Sequence, residues 1–119
     1  MTSQNDEFDG IDQDTVLTAN ALKAMAHPLR WKILCSLGEA ELSVGEIVER
    51  TGTSQSNISQ HLEQLRNKNI VVSRKEANRI FYRIRNTQLL TLIGTMRTVL
   101  CPAILDDRYH KGKGEQGEE

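Results

Sequence analysis

The sequence predicts a mainly α fold with one β-hairpin standing out as a wing, and three observations lead there. Only 4% of the 119 residues are aromatic while 38% are hydrophobic, so the core has to be built from Leu, Ile, Val and Ala, the composition of packed helices. Apolar residues recur at helical spacing along most of the chain, and the period changes to two only between Ile70 and Arg85. Capping and terminating residues stand at the ends of these runs. The length suits one compact domain, since domains commonly hold about 100 to 150 residues.

The first helix is expected to start near Asp14 or Thr15, either of which can cap it, and to run through VLTANALKAM to about Ala26. Pro28 opens the next helix, because a first turn tolerates its missing N–H, and Gly38 suits the stop after Leu37. Leu29, Ile33, Leu34 and Leu37 share one face of it. Ser43 and Glu46 form a capping box for the short helix VGEIVERT, which Gly52 closes. Ser54 caps a further helix at once, so the two helices must turn sharply on each other as a helix-turn-helix.

From about Gln55 to Asn67, Ile58, Leu62 and Leu65 recur at i, i+4 and i+7 as a buried stripe, while Ser56, Ser59, Gln60 and Glu63 project elsewhere. Ile70 to Lys75 and Arg79 to Arg85 read as two strands around a turn at Glu76, Ala77 and Asn78. The last helix, from about Thr87 to Cys101, is ended by Pro102. Its Leu89, Leu92, Ile93, Met96, Val99 and Leu100 make a wider apolar surface than one packing stripe requires. Together with Leu17 of the first helix, Leu89, Leu92, Ile93, Met96 and Leu100 are expected to pair two copies as a homodimer. The predicted order is four helices, a two-stranded hairpin and a fifth helix: a winged helix-turn-helix dimerising through its first and last helices.

Residues 14–105 form the expected domain. Residues 1–13 read as a disordered acidic leader and residues 106–119, which include KGKGEQGEE, as a disordered charged tail. The leader has neither the basic cluster nor the apolar run of a targeting peptide. No segment approaches the roughly 20 apolar residues that span a bilayer. The expectation is a cytoplasmic protein without a membrane partner, whose two cysteines rest as thiols.

A net charge of −1 conceals an asymmetry. Asp6, Glu7, Asp9, Asp12 and Asp14 precede the first Lys or Arg, whereas Arg66, Lys68, Arg74, Lys75, Arg79, Arg83, Arg85 and Arg97 face only Glu76 between residues 66 and 97. Local charge, rather than the total, governs contact with phosphates. A helix entering a major groove needs short or flexible polar side chains that reach base edges, and Gln55, Ser56, Ser59 and Gln60 have that chemistry. Ser54 and His61 extend the set, and Arg74, Lys75 and Arg79 are expected to meet the backbone of double-stranded DNA. Taken singly, these residues also read as a solvated helix face and an ordinary charged hairpin; the assembly favours operator binding. No phosphate loop, Cys-x-x-Cys or Ser, His and carboxylate set suggests an enzyme.

The runs HPLRWKILCSL and ELSVGEIVERTGTSQSNISQHLEQLRNKNIV, followed by a basic wing ending IFYRIRN, resemble the ArsR/SmtB family of bacterial winged-helix repressors. The resemblance spans about residues 15 to 101, with SQSNISQHL as its most specific part. It implies a dimer built from the outer helices and operator reading by Gln55, Ser56, Ser59 and Gln60. Many members sense metals through a Cys-x-Cys pair, but Ser43 and Gly45 stand in its place. Others use Asp, His and Glu on the last helix, and residues 87–101 contain none.

No metal and no cofactor are expected, because two cysteines alone do not make the three or four ligands zinc takes. His27 reads as a turn or packing residue, and an Asp106 and His110 pair is a remote alternative. Cys35 and Cys101 could each pack as a small hydrophobe. Their positions, after RWKIL and just before Pro102, resemble the reactive pair of the family's persulfide-sensing branch. That implies persulfide or polysulfide as inducer and cross-linking of the two thiols as the event that releases the operator. A sensor of metal or general oxidant using the same thiols, a winged-helix module that binds another protein, and a two-cysteine oxidoreductase are the alternatives.

Overall fold

The computed structural model describes residues 11–101 in two units, divided between Arg85 and Asn86. The first unit holds α1 (Gln13–Met25), α2 (Pro28–Leu37), β1 (Leu42–Ser43), α3 (Val44–Thr51), α4 (Gln55–Asn67), β2 (Val71–Glu76) and β3 (Arg79–Ile84). The second holds α5 (Thr87–Leu100). Most of the leader, Pro102, the Asp106 and His110 pair and the charged tail lie outside the described residues. Among the described residues no helix is long and apolar enough to cross a membrane.

The core of the first unit follows the predicted stripes. Ile33, Leu34 and Leu37 of α2, Ile47 of α3, and Ile58, Leu62 and Leu65 of α4 are fully buried with Val71 of β2. Each such side chain contributes about 1.5 to 3 kcal/mol on leaving water, enough to make α4 a fixed platform for the residues on its other side.

Local signals set the helix ends. His27 caps α2 through Nδ1, which accepts from the Leu29 N–H at 3.1 Å. Gly38 ends that helix at φ 51°, ψ −128°, a conformation costly for any residue with a Cβ. The capping box is present: the Ser43 hydroxyl accepts from the Glu46 N–H, and the Ser43 N–H donates to Glu46 Oε1 at 2.8 Å. Gly52, left-handed at φ 78°, closes α3. At the end of α4, Asn69 takes φ 58°, and the Asn69 and Ile70 N–H groups donate back to Arg66 and Leu65 carbonyls. This double bond pattern reverses the chain into the wing.

Three expectations are corrected. The cap of α1 is Asp12, whose carboxylate accepts from the Thr15 N–H at 2.8 Å, rather than Asp14 or Thr15. The hairpin turn is the pair Ala77 and Asn78, with Glu76 retained in the ladder opposite Arg79. The hairpin is also not alone: β1 pairs antiparallel with β3, giving a three-stranded sheet in the order β1-β3-β2.

Candidate nucleic-acid interface and thiol pair

Burying Ile58, Leu62 and Leu65 turns the opposite side of α4 outward. Gln55, Ser56, Ser59 and Gln60 are all exposed there, on a continuous stripe that begins at the helix N-terminus. Ser54 caps the helix by accepting from the Asn57 N–H at 3.3 Å, which leaves its own O–H able to donate outward. The stripe therefore offers amide and hydroxyl groups from a rigid element, the requirement for reading base edges in a major groove.

His61 behaves differently from that stripe. It is half-buried, and its ring lies 4.4 Å from that of His27, tilted by 37°. Its Nδ1 is buried without a hydrogen-bond partner among the described residues. Burial pushes the imidazole below the usual histidine range, with the nearby His27 and Arg30 adding to the effect. The unfolded chain therefore takes up a proton near 6.5 while the folded chain resists it. Stability from this source is complete above that value and declines as pH falls below it. The unfolding free energy should fall between pH 7 and pH 5.5, by less than the about 1.4 kcal/mol per pH unit that one proton permits, because His61 keeps some solvent contact. Urea titrations at several pH values check this, and a His61→Gln profile as steep as the natural one contradicts it.

The wing brings its cations to a different state from the one the sequence suggests. Lys75 is exposed near the tip. Arg74 is held by two carboxylates, with Nε donating to Glu41 at 2.8 Å and Nη1 to Glu76 at 2.6 Å. The Arg74 hydrogen bond keeps the Glu41 carboxyl below its usual range. Arg79 donates to the Ser43 hydroxyl at 3.1 Å, and both guanidinium groups lie over the Phe81 ring. Arg83 and Arg85 turn back to main-chain carbonyls at Ile84, Arg85 and Asn69. Glu41 and Phe81 escaped the sequence reading; a two-residue turn fixes Phe81 opposite Arg74, whereas a three-residue turn obscures that register.

Cys35 on α2 and Cys101, which caps the C-terminus of α5 with its N–H on the Arg97 carbonyl at 3.0 Å, are both half-buried thiols. The residues expected to dimerise remain partly uncovered. Leu17 on α1 is 56% exposed, and Leu92 and Leu100 on α5 are 47% and 66% exposed. Leu89 and Met96 are half-buried and Ile93 is buried. No group of three or more metal-binding side chains occurs among the described residues.

Comparison with known proteins finds a family match and similar chains. Residues 27–73, from the cap of α2 into β2, match the family described as bacterial regulatory protein, arsR family. The chain is 44% identical over 85 residues to the HTH-type transcriptional regulator YgaV of Escherichia coli K12, covering 71% of this chain and 86% of that protein. It is 39% identical over 83 residues to the biofilm growth-associated repressor of Xylella fastidiosa Temecula1, covering 70% and 73%. Among solved structures, HlyU from Vibrio cholerae N16961 superposes with a TM-score of 0.70 at 40% identity, covering 76% of this chain and 99% of that one.

Proposed function

The chain belongs to the arsR family of bacterial regulatory proteins, and we propose that it acts in the cytoplasm as a homodimeric repressor that leaves its operator when reactive sulfur species cross-link Cys35 and Cys101. That it is a DNA-binding transcription regulator follows from the family and its relatives. The observation that carries the operator reading is the stripe of Gln55, Ser56, Ser59 and Gln60, exposed on the second helix of the helix-turn-helix with a basic hairpin in the same unit.

In this reading α4 enters the major groove, where Gln pairs with adenine and Ser contacts bases or phosphates. Lys75 and Arg79 meet the backbone from the wing. Lys75 is exposed, and Arg79, which donates to the Ser43 hydroxyl and lies over the Phe81 ring, has no carboxylate hydrogen bond to break among the described residues. Replacing Arg79 by Ala should reduce the slope of log affinity against log salt by about one unit, because one fewer phosphate counterion is released. Fluorescence anisotropy on promoter DNA across a salt series measures this, and an unchanged slope removes Arg79 from the interface.

The exposed apolar residues Val16, Leu17 and Leu22 on α1, and Leu92, Val99 and Leu100 on α5, support assembly of two copies. A two-fold operator then sets the spacing of the two α4 helices at about one turn of DNA. Bridging α2 to the end of α5 alters that spacing, and affinity falls.

The chemistry balances in two exchanges. The thiolate of one cysteine attacks the outer sulfur of a persulfide, expelling a thiolate and becoming a protein persulfide. The second cysteine's thiolate attacks the inner, protein-bound sulfur and expels hydrosulfide, leaving a disulfide. Two protein thiols lose two electrons, and the incoming persulfide is reduced to a thiol and hydrogen sulfide. Support comes from the two half-buried thiols and from the family resemblance of their positions.

Intact-mass spectrometry of the reduced protein after polysulfide, peroxide or zinc, with DNA binding read in parallel, tests the proposal. The expected result is a Cys35 to Cys101 bridge and DNA release with polysulfide at doses where peroxide and zinc leave binding intact. Release by zinc without change in mass, or equal release by peroxide, would make it a sensor of metal or general oxidant.

A further inference from the structure

A cluster joins the wing to the segment before β1, and phosphate binding gives no account of it. Glu41 lies just before β1, Arg74 on β2 and Phe81 on β3. The register sets Arg74 opposite Phe81 in one ladder and Ser43 opposite Phe81 in the other. The Arg74 guanidinium lies 5.0 Å from the Phe81 ring centroid, with Glu41 on its Nε and Glu76 on its Nη1. Its positive charge is taken up by two carboxylates, which leaves Arg74 less available to a phosphate than the wing cations without carboxylate bonds. Of the three wing cations expected to meet phosphates, Arg74 is the one held by carboxylates.

Geometry gives these contacts another use. Glu41 belongs to the segment that leads into the α3 cap, whereas Arg74 and Glu76 lie on the outer part of the hairpin. The bond from Arg74 to Glu41 joins the hairpin to the start of the helix-turn-helix, while Glu76 and the Phe81 ring hold the guanidinium from within the hairpin. Arginine suits this role because its planar fork keeps several donors in fixed directions while its face stacks on an aromatic ring.

We propose that Arg74 is a positioning residue: with Glu41, Glu76 and Phe81 it forms a latch that sets the angle of the wing relative to α4, and it does not contact phosphate. The latch rests on the DNA-binding reading given above, in which Lys75 and Arg79 take that role. It leads to a result opposite in sign to simple electrostatics. Removing the negative charge at Glu41 weakens DNA binding, because the outer part of the wing, then tied to the start of α3 by the short β1–β3 ladder without its side-chain bond, must be reordered on the DNA.

The test compares the natural protein with Glu41→Gln, Arg74→Gln and the double variant, measuring promoter affinity across a salt series. Each single variant is expected to bind about fivefold more weakly, the worth of one well-placed surface ion pair. The salt slope should stay unchanged and the double variant should be no weaker than either single one. Tighter or equal binding by Glu41→Gln, or a slope reduced by about one unit in Arg74→Gln, would overturn the latch and make Arg74 a phosphate contact.

A measurement without DNA separates this from the functional reading. The Arg74 Nε–H should be protected from solvent exchange in the natural protein and lose that protection in Glu41→Gln. Exchange at the rate of an exposed guanidinium in the natural protein rejects the latch. Failure of the natural protein to bind promoter DNA rejects only the regulatory reading.

Discussion

Serine in place of either Cys35 or Cys101 should leave the reduced protein's DNA affinity within about twofold of the natural value and abolish its release by polysulfide. The natural protein should lose affinity by a factor in the range of about 5 to 150, the usual span of coupling between two sites in one protein. Serine is nearly the size of cysteine and both positions are half-buried, so packing changes little. The second exchange has no nucleophile in one variant and no protein persulfide to attack in the other. A Cys101→Ser protein can still gain sulfur on Cys35, visible as a mass increase, yet no covalent link reaches the terminal helix. DNA binding after polysulfide, with the mass of the same sample, separates modification from release. Release of either variant as readily as the natural protein would show that the bridge is not the signal.

Leu62→Ala should destabilise the first unit by about 2 to 5 kcal/mol, against a total for a domain this size of about 5 to 15 kcal/mol. Leu62 is completely buried, on the face of α4 directed away from the polar stripe. Removing it leaves a void between α4 and the elements it packs on, which cannot collapse without shifting α4. The melting temperature should fall by about 4 to 8 °C for each kcal/mol lost. Since Leu62 does not reach solvent, weaker DNA binding by this variant should be recovered on cooling, whereas Gln60→Ala should bind weakly at every temperature. A thermal shift of only a degree or two would mean that α4 is not packed as described.

The helices were legible because each carries its own signals: Ser43 with Glu46, Ser54, Pro28 and Gly52 are local instructions whose meaning does not depend on distant residues. The buried stripe of α4 was equally plain, since a three- and four-residue period survives any tertiary context. What the sequence did not reveal depends on pairing across distance. β1 is two residues long, too short for an alternating pattern, and exists only because β3 lies beside it. The bond from Arg74 to Glu41 and the contact of His61 with His27 join residues more than thirty positions apart. Composition showed that the wing is basic but could not show which of its arginines already have carboxylate partners.

Hydroxyl-radical footprinting of the reduced protein on the DNA upstream of its own gene addresses the central claim most directly. Two protected half-sites about one helical turn apart are expected at low ionic strength, with sedimentation reporting a dimer and Gln55→Ala or Gln60→Ala removing the protection. A monomer that leaves this DNA uniformly cleaved, even in dilute salt, would contradict a pair of groove-reading helices held in register.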